Sequence, residues 1–196
     1  MEPNKEIQTE NSNSEEAVKP LIPPKVTRTF YISFAIVFVI WMIITRFISF
    51  PVVNGHSMEQ TLYEKDVMVM NKVAYQSAAD IQRFDIVVVR SPENGLFLIK
   101  RVIGLPGETI CIRDGRIYIN GEPLEDPYLT EEITVIGVAE KEVLIDEDSI
   151  FVIGDNRNHS GDSRSFGPVA FNRVVGKCEK WLITKRNGET EFLKDL

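Results

Sequence analysis

Cysteine and histidine are scarce in this chain, and each shortage narrows the chemistry open to it. Only Cys111 and Cys178 occur among its 196 residues, which excludes a disulfide-rich scaffold and a multi-cysteine zinc site. The two could form one bridge outside the cytoplasm, or could simply be buried as small apolar residues. Imidazole comes only from His56 and His159, so a serine–histidine pair has few candidates, and no HExxH zinc signature occurs. There is no glycine-rich phosphate loop; Gly104-Leu105-Pro106-Gly107 reads as a turn. Basic residues are outnumbered, 22 against 29 acidic, for a net charge of −7, which argues against a nucleic-acid partner. No metal and no cofactor are therefore expected.

Long apolar runs are as rare: there is one, Phe30 to Phe50. As a helix it would span about 31 Å, close to the roughly 30 Å of a bilayer's hydrocarbon core. Phe30 to Thr45 carries no charge, and Arg46 lies where a long side chain can snorkel to the headgroups. The run is apolar on every face, unlike a surface helix of a soluble domain. It is too long for the core of a signal sequence, and Ser49-Phe50-Pro51 offers no small-x-small cleavage site. Residues 29–50 are therefore read as a transmembrane anchor. Lys19, Lys25 and Arg28 precede it, and beyond Arg46 the next basic residue is Lys65, which places the N-terminus in the cytoplasm. Residues 1–28 are polar, prolyl and acidic, and are expected to form a disordered cytoplasmic tail.

Beyond the anchor the pattern changes to short strands. Val67 to Met70, Asp85 to Arg90, Phe97 to Ile103, Ile110 to Arg113, Arg116 to Ile119, Glu140 to Ile145, Ser149 to Ile153 and Val174 to Thr184 are strand candidates. Ser91-Pro92-Glu93-Asn94-Gly95 and Asp114-Gly115 supply hairpin turns. Ser77 to Arg83 suggests a turn of helix, and the acidic, prolyl stretch Glu122 to Glu132 reads as loop. The expectation is a mainly β fold: a partly closed antiparallel sheet over residues 51–196, with a small inserted β region at about 110–150.

Three stretches can carry chemistry. Gly55 to Leu62 (GHSMEQTL) presents Ser57 in a loop just past the anchor. A serine hydroxyl needs a nearby base, and Lys100, following the apolar run Leu96 to Ile99, is a candidate. Burial penalises an ammonium and can bring a lysine from about 10.4 down to about 5–6. Gly154 to Pro168 (GDNRNHSGDSRSFGP) crowds carboxylates and guanidinium groups into a loop that could brace a site or simply be solvated.

Together these stretches resemble the bacterial type I signal peptidases. Ser57-Met58-Glu59-Gln60-Thr61-Leu62 is similar to that family's serine box. Arg83 to Val88, leading to Lys100-Arg101-Val102-Ile103-Gly104, is similar to its lysine box. Gly154-Asp155-Asn156-Arg157 with Ser160-Gly161-Asp162-Ser163-Arg164 is similar to its C-terminal box. The resemblance runs from about Phe30 to near Lys180 and implies a membrane-bound serine endopeptidase. It would remove signal peptides from exported preproteins at small-x-small sites, with its catalytic domain outside the plasma membrane and its partners the preproteins and the lipid bilayer. It implies Ser57 as nucleophile, Lys100 as general base and Ser160 as the hydroxyl that orients the amine. Asp155, Arg157, Asp162 and Arg164 would brace the site, and Met58 would help shape the substrate pocket. An extended peptide adding as a strand would lie along the candidate edges Pro51 to Gly55 and Leu96 to Ile99, which bring Gly55, Leu98 and Ile99 to the substrate.

The chain departs from the family's pattern in two places. Gly55 stands where some members carry a serine hydroxyl, so a backbone N–H or a water must complete the oxyanion hole. Gln60 stands where proline is usual, and restoring proline is expected to stiffen the turn or be neutral. Archaeal and endoplasmic-reticulum relatives use histidine as the base, but the matching position here is Lys100. Two other readings remain at this point. One is a serine–lysine autoprotease of the SOS-repressor type, for which no basic DNA-binding domain is present. The other is a catalytically silent anchored β domain that binds a partner.

Overall fold

The computed structural model describes residues 24–186 and 189–195; residues 1–23 of the expected cytoplasmic tail lie outside them. The chain separates into two units, the first ending at Trp41 and the second beginning at Met42. Helix α1 runs from Pro24 to Phe47, and its stretch Arg28–Phe47 is long and apolar enough to cross a membrane and is wholly unburied by protein. The helix starts earlier than the 29–50 segment read from the sequence, so residues 24–28 are helical. Proline suits the first helical position, where its missing N–H would have had no partner. The helix also stops short of residue 50, because Ile48–Ser49 form strand β1 and pair with Asn71 and Met70.

The second unit is built from antiparallel strands. In order they are β2 (Val67–Asn71), β3 (Ile86–Arg90), β4 (Phe97–Gly104), β5 (Thr109–Arg113), β6 (Arg116–Ile119), β7 (Glu122–Pro123), β8 (Val143–Leu144) and β9 (Ser149–Ile153). A single turn of helix, α2 (Ser163–Phe166), precedes β10 (Val169–Ala170), β11 (Val174–Arg186) and β12 (Glu189–Asp195). The larger sheet is ordered β1-β2-β11-β3-β4-β9-β10, with β12 on β11, and the smaller one β7-β6-β5-β8. Register shifts in β11 and β4 bend the larger sheet. The fold is thus mainly β, with the smaller sheet inserted between β4 and β9. Glu140 to Ile145 gives strand only at Val143–Leu144, after a 3-10 turn at Gly137–Glu140.

Strand alternation explains the packing. In β3, Ile86 and Val88 join one apolar cluster with Met58, Leu62 and Met68, whereas Val87 and Val89 join another with Val102, Ile150 and Val152. Successive side chains point to opposite faces, so β3 is covered on both and reads as an unbroken apolar run. A third cluster, rich in isoleucine, joins the smaller sheet to β4 and β9 through Ile103, Ile110, Ile145 and Phe151. Cys111 and Cys178 are both free and buried, one in each sheet. Burial alone pushes the Cys178 thiol up to about 12.

Candidate active site

Lys100 sits in the middle of β4, paired with Val87 on β3. The serine loop is held from below by its own apolar residues: Met58 and Leu62 are 1% and 0% exposed, and the Leu62 N–H donates to the Met58 carbonyl at 2.8 Å. Ser57 is therefore raised at the edge of a well-packed turn, half-buried. Lys100 Nζ lies 2.6 Å from Ser57 Oγ.

The lysine is 2% exposed, and among the described residues no carboxylate lies within ion-pair distance of it. Burial brings its pKa from the ordinary 10.5 to about 8; Asp162 and then Asp155 oppose that shift, and Arg164 assists it. The amine is thus neutral in an appreciable fraction of molecules near neutral pH.

Arg101, the next residue, faces the other side of the sheet. It donates from Nε and Nη2 to Asp155 at 2.7 and 2.6 Å and from Nη1 to the Phe84 carbonyl at 2.9 Å. Its guanidinium carbon stands 3.4 Å from the Tyr128 ring centre. Asp162 caps α2, accepts two bonds from Arg164 at 2.8 Å, and accepts from the Gly154 N–H at 3.1 Å. Gly154 is required here: a β-carbon on it would overlap Ser160 Oγ and the Ser57 carbonyl.

Ser160 and Gln60 stand differently from the sequence reading, and Arg157 finds a partner that the sequence did not suggest. Arg157 meets Asp126 of the inserted region at 2.6 Å, both side chains wholly buried, while Asp155 pairs with Arg101. Its N–H groups are not aligned for hydrogen bonds, so the contact is one of charge. The Ser160 hydroxyl is buried without a hydrogen-bond partner, and the expected bond to the Lys100 amine is not made. Gln60 has φ +87°, a left-handed conformation that proline, locked near −65°, cannot adopt; the expectation that proline would suit this position is overturned. Gly55 is also left-handed, at φ +92°, with open space where a side chain would go. Arg101 and Asp126 escaped the sequence reading. Arg101 was findable, since strand alternation puts it opposite Lys100; Asp126 lay in a stretch read as plain loop.

Two hollows adjoin the pair. One, about 80 Å³, is walled by Val53, Met58, Leu98 and Ile99 beside Ser57 and Lys100. The other, about 700 Å³ and open, extends from Ser57 past Gly55, His56 and Asn156 to Phe166. The histidines sit on its rim. His56 Nδ1 is 2.5 Å from Glu59 and His159 Nδ1 is 3.2 Å from Asn156. Among the described residues no three histidine, cysteine or carboxylate side chains gather as metal ligands.

Comparison with known proteins bears on what this arrangement is for. The family described as signal peptidase, peptidase S26, matches residues 26–182. Signal peptidase I of Bacillus caldolyticus is 38% identical over 140 residues, 65% of this chain and 75% of that protein. Signal peptidase I V of Bacillus subtilis (strain 168) is 38% identical over 135 residues, 63% of this chain and 79% of that one. The crystal structure of a signal peptidase I from Enterococcus faecalis V583 is 40% identical, covers 50% of this chain and 95% of its own, and superposes with a TM-score of 0.44.

Proposed function

Since the chain belongs to the signal peptidase family, peptidase S26, a family of serine endopeptidases, we propose that it removes signal peptides from exported preproteins with Ser57 as nucleophile and Lys100 as general base. The observation that carries this reading is the 2.6 Å approach of a buried amine to the serine hydroxyl. The neutral Lys100 amine takes the Ser57 proton as Oγ attacks the scissile carbonyl. The ammonium so formed is stabilised by Asp162 and Asp155, whose charges favour the protonated amine. That ammonium then protonates the departing amine, leaving an acyl-enzyme on Ser57. Water, deprotonated by the same amine, releases the signal peptide's new carboxylate. The Ser57 N–H is a natural donor to the oxyanion; Gly55 contributes no side chain, so the second donor is a backbone N–H or a water.

Specificity for small side chains is supported by the hollow of only about 80 Å³ beside the pair, which we take as the pocket for a small side chain next to the cut. The peptide would bind as an added strand. β4 pairs with β9 only from Arg101 onward, so Phe97 to Ile99 present an unpaired edge beside Lys100. In this reading helix α1 holds the protein in the plasma membrane with its N-terminus in the cytoplasm, as the basic residues before it favour. The catalytic domain then lies outside, beside substrates tethered in the same bilayer, which raises their effective concentration.

The test is cleavage of a small-x-small signal-peptide substrate by the full chain in detergent. Cleavage abolished in both Ser57→Ala and Lys100→Ala is expected. Undiminished cleavage in Lys100→Ala would end the dyad reading, and no cleavage by the unaltered protein would favour a silent binding domain.

A further inference from the structure

Gln60 is an unusual residue to find at φ +87°. Asparagine and aspartate tolerate the left-handed region because a short polar side chain bonds its own backbone; glutamine is too long to do this well. A conformation of this kind persists where the surroundings hold it. The side chain of Gln60 reaches out of its own loop: Nε2 donates to Thr130 Oγ1 at 2.8 Å, across 70 residues of sequence.

Thr130 is itself firmly placed. It lies between β7 and β8, in a stretch bound on both flanks to the loop that follows β9. On one flank Asp126 meets Arg157 at 2.6 Å. On the other, the Thr134 N–H and hydroxyl donate to Asn158 Oδ1 at 2.8 and 2.9 Å, and Asn158 donates to the Glu132 carbonyl at 3.0 Å. Further on, Arg164 donates to the Val135 carbonyl at 2.8 Å. Gly137 packs so closely on the Arg164 carbonyl that no β-carbon fits. The stretch read from the sequence as acidic loop is a strap fastened to the same loop that carries Asp155 and Asp162.

We infer that Gln60 and Thr130 form a clasp that transmits this fastening to the serine loop, and that the clasp is a positioning device for the reaction: it holds the left-handed turn that keeps Ser57 Oγ within reach of Lys100 Nζ. The inference rests on the Ser57/Lys100 reading above. Both clasp residues are exposed, so their bond adds little to global stability. Its consequence lies in the aim of a hydroxyl three residues away, where small displacements weigh heavily on rate. Loosening the turn also admits water to Lys100, whose lowered basicity depends first on burial.

The experiment is steady-state cleavage of a signal-peptide substrate by the full chain in detergent, across pH. Thr130→Val keeps shape and removes the acceptor. It is expected to lower kcat about fivefold, on the scale of one exposed hydrogen bond, with KM within about twofold of the unaltered protein. The acid limb of its pH profile should move upward. Thr130→Ser, which keeps the hydroxyl, should restore both. Glycine adopts φ +87° without strain, so in a Gln60→Gly background Thr130→Val should have no further effect. Unchanged kcat and pH profile in Thr130→Val would overturn the clasp. So would an equal loss from Thr130→Val in the Gln60→Gly background. Persistent cleavage by Ser57→Ala would overturn the dyad and the clasp together.

Discussion

Replacing Lys100 by methionine should make the protein more stable while abolishing catalysis, and the size of the gain follows from the burial of the amine. Methionine is unbranched and close in length, so it fills the same channel without a charge. Lys100 titrates at about 8 in the folded protein against an ordinary 10.5. At about 1.36 kcal/mol per pH unit, holding the protonated form in the fold costs about 3 kcal/mol at pH 7. The sign follows from proton counting. Between pH 8 and 10.5 the unfolded chain binds more protons than the folded one, so the penalty is complete below 8, fades through that window and is absent above it. At about 2–4 °C per kcal/mol for a chain of this size, Lys100→Met should melt about 6–12 °C higher at pH 6–7. The loss of the contact with Ser57 will trim that gain. Melting of both proteins in detergent from pH 6 to 10.5 is the assay. A gain that shrinks steadily above pH 8 is expected. A variant that melts lower at pH 6, or whose gain is the same at pH 6 and 10.5, would refute the account of a desolvated ammonium.

Asp155→Asn leaves Arg101 buried without its carboxylate. The loss should be about 3–5 kcal/mol, or roughly 6–20 °C in Tm by calorimetry. Because the Asp155 charge raises the basicity of Lys100, whatever activity survives should extend to lower pH; an upward shift of the acid limb would contradict the electrostatics. Gly154→Ala places a methyl group on Ser160 and on the Ser57 carbonyl, and should reduce kcat at least about tenfold; near-normal turnover would show that this packing is slack. Gln60→Pro should lower both Tm and turnover, since the turn must abandon φ +87°; a variant melting as high as the unaltered protein would mean that the turn adopts another shape at no penalty.

What could be read from the sequence was whatever is written locally. β3 announces itself through four β-branched residues in a row, the hairpins through Asp114-Gly115 and the turn at 91–95, and the anchor through a run with no charge. The three motif stretches lie far apart in the chain, yet the geometry joins Ser57 to Lys100 and both to the neighbourhood of Asp155 and Asp162. What stayed hidden depends on contacts across long sequence separations. Asp126 sits in an acidic, proline-rich stretch whose composition says solvated loop, yet its side chain is 1% exposed against Arg157. Gln60 has φ +87° and bonds Thr130, 70 residues away; neither is written locally, so the family's pattern suggested proline where the backbone forbids it. Where α1 ends was invisible for the same reason: Ile48 and Ser49 are as apolar and small as an anchor allows, and only their pairing with β2 removes them from the helix.

The claim at the centre of all this is that the reacting base is the Lys100 amine, neutral because it is buried. The most direct measurement is the pH dependence of kcat/KM for the full chain on a signal-peptide substrate. An acid limb at about 8 is expected, with the rate rising tenfold per pH unit below it. A limb near 6.5, as an imidazole base would give, or one near 10 from a solvated lysine, would contradict it.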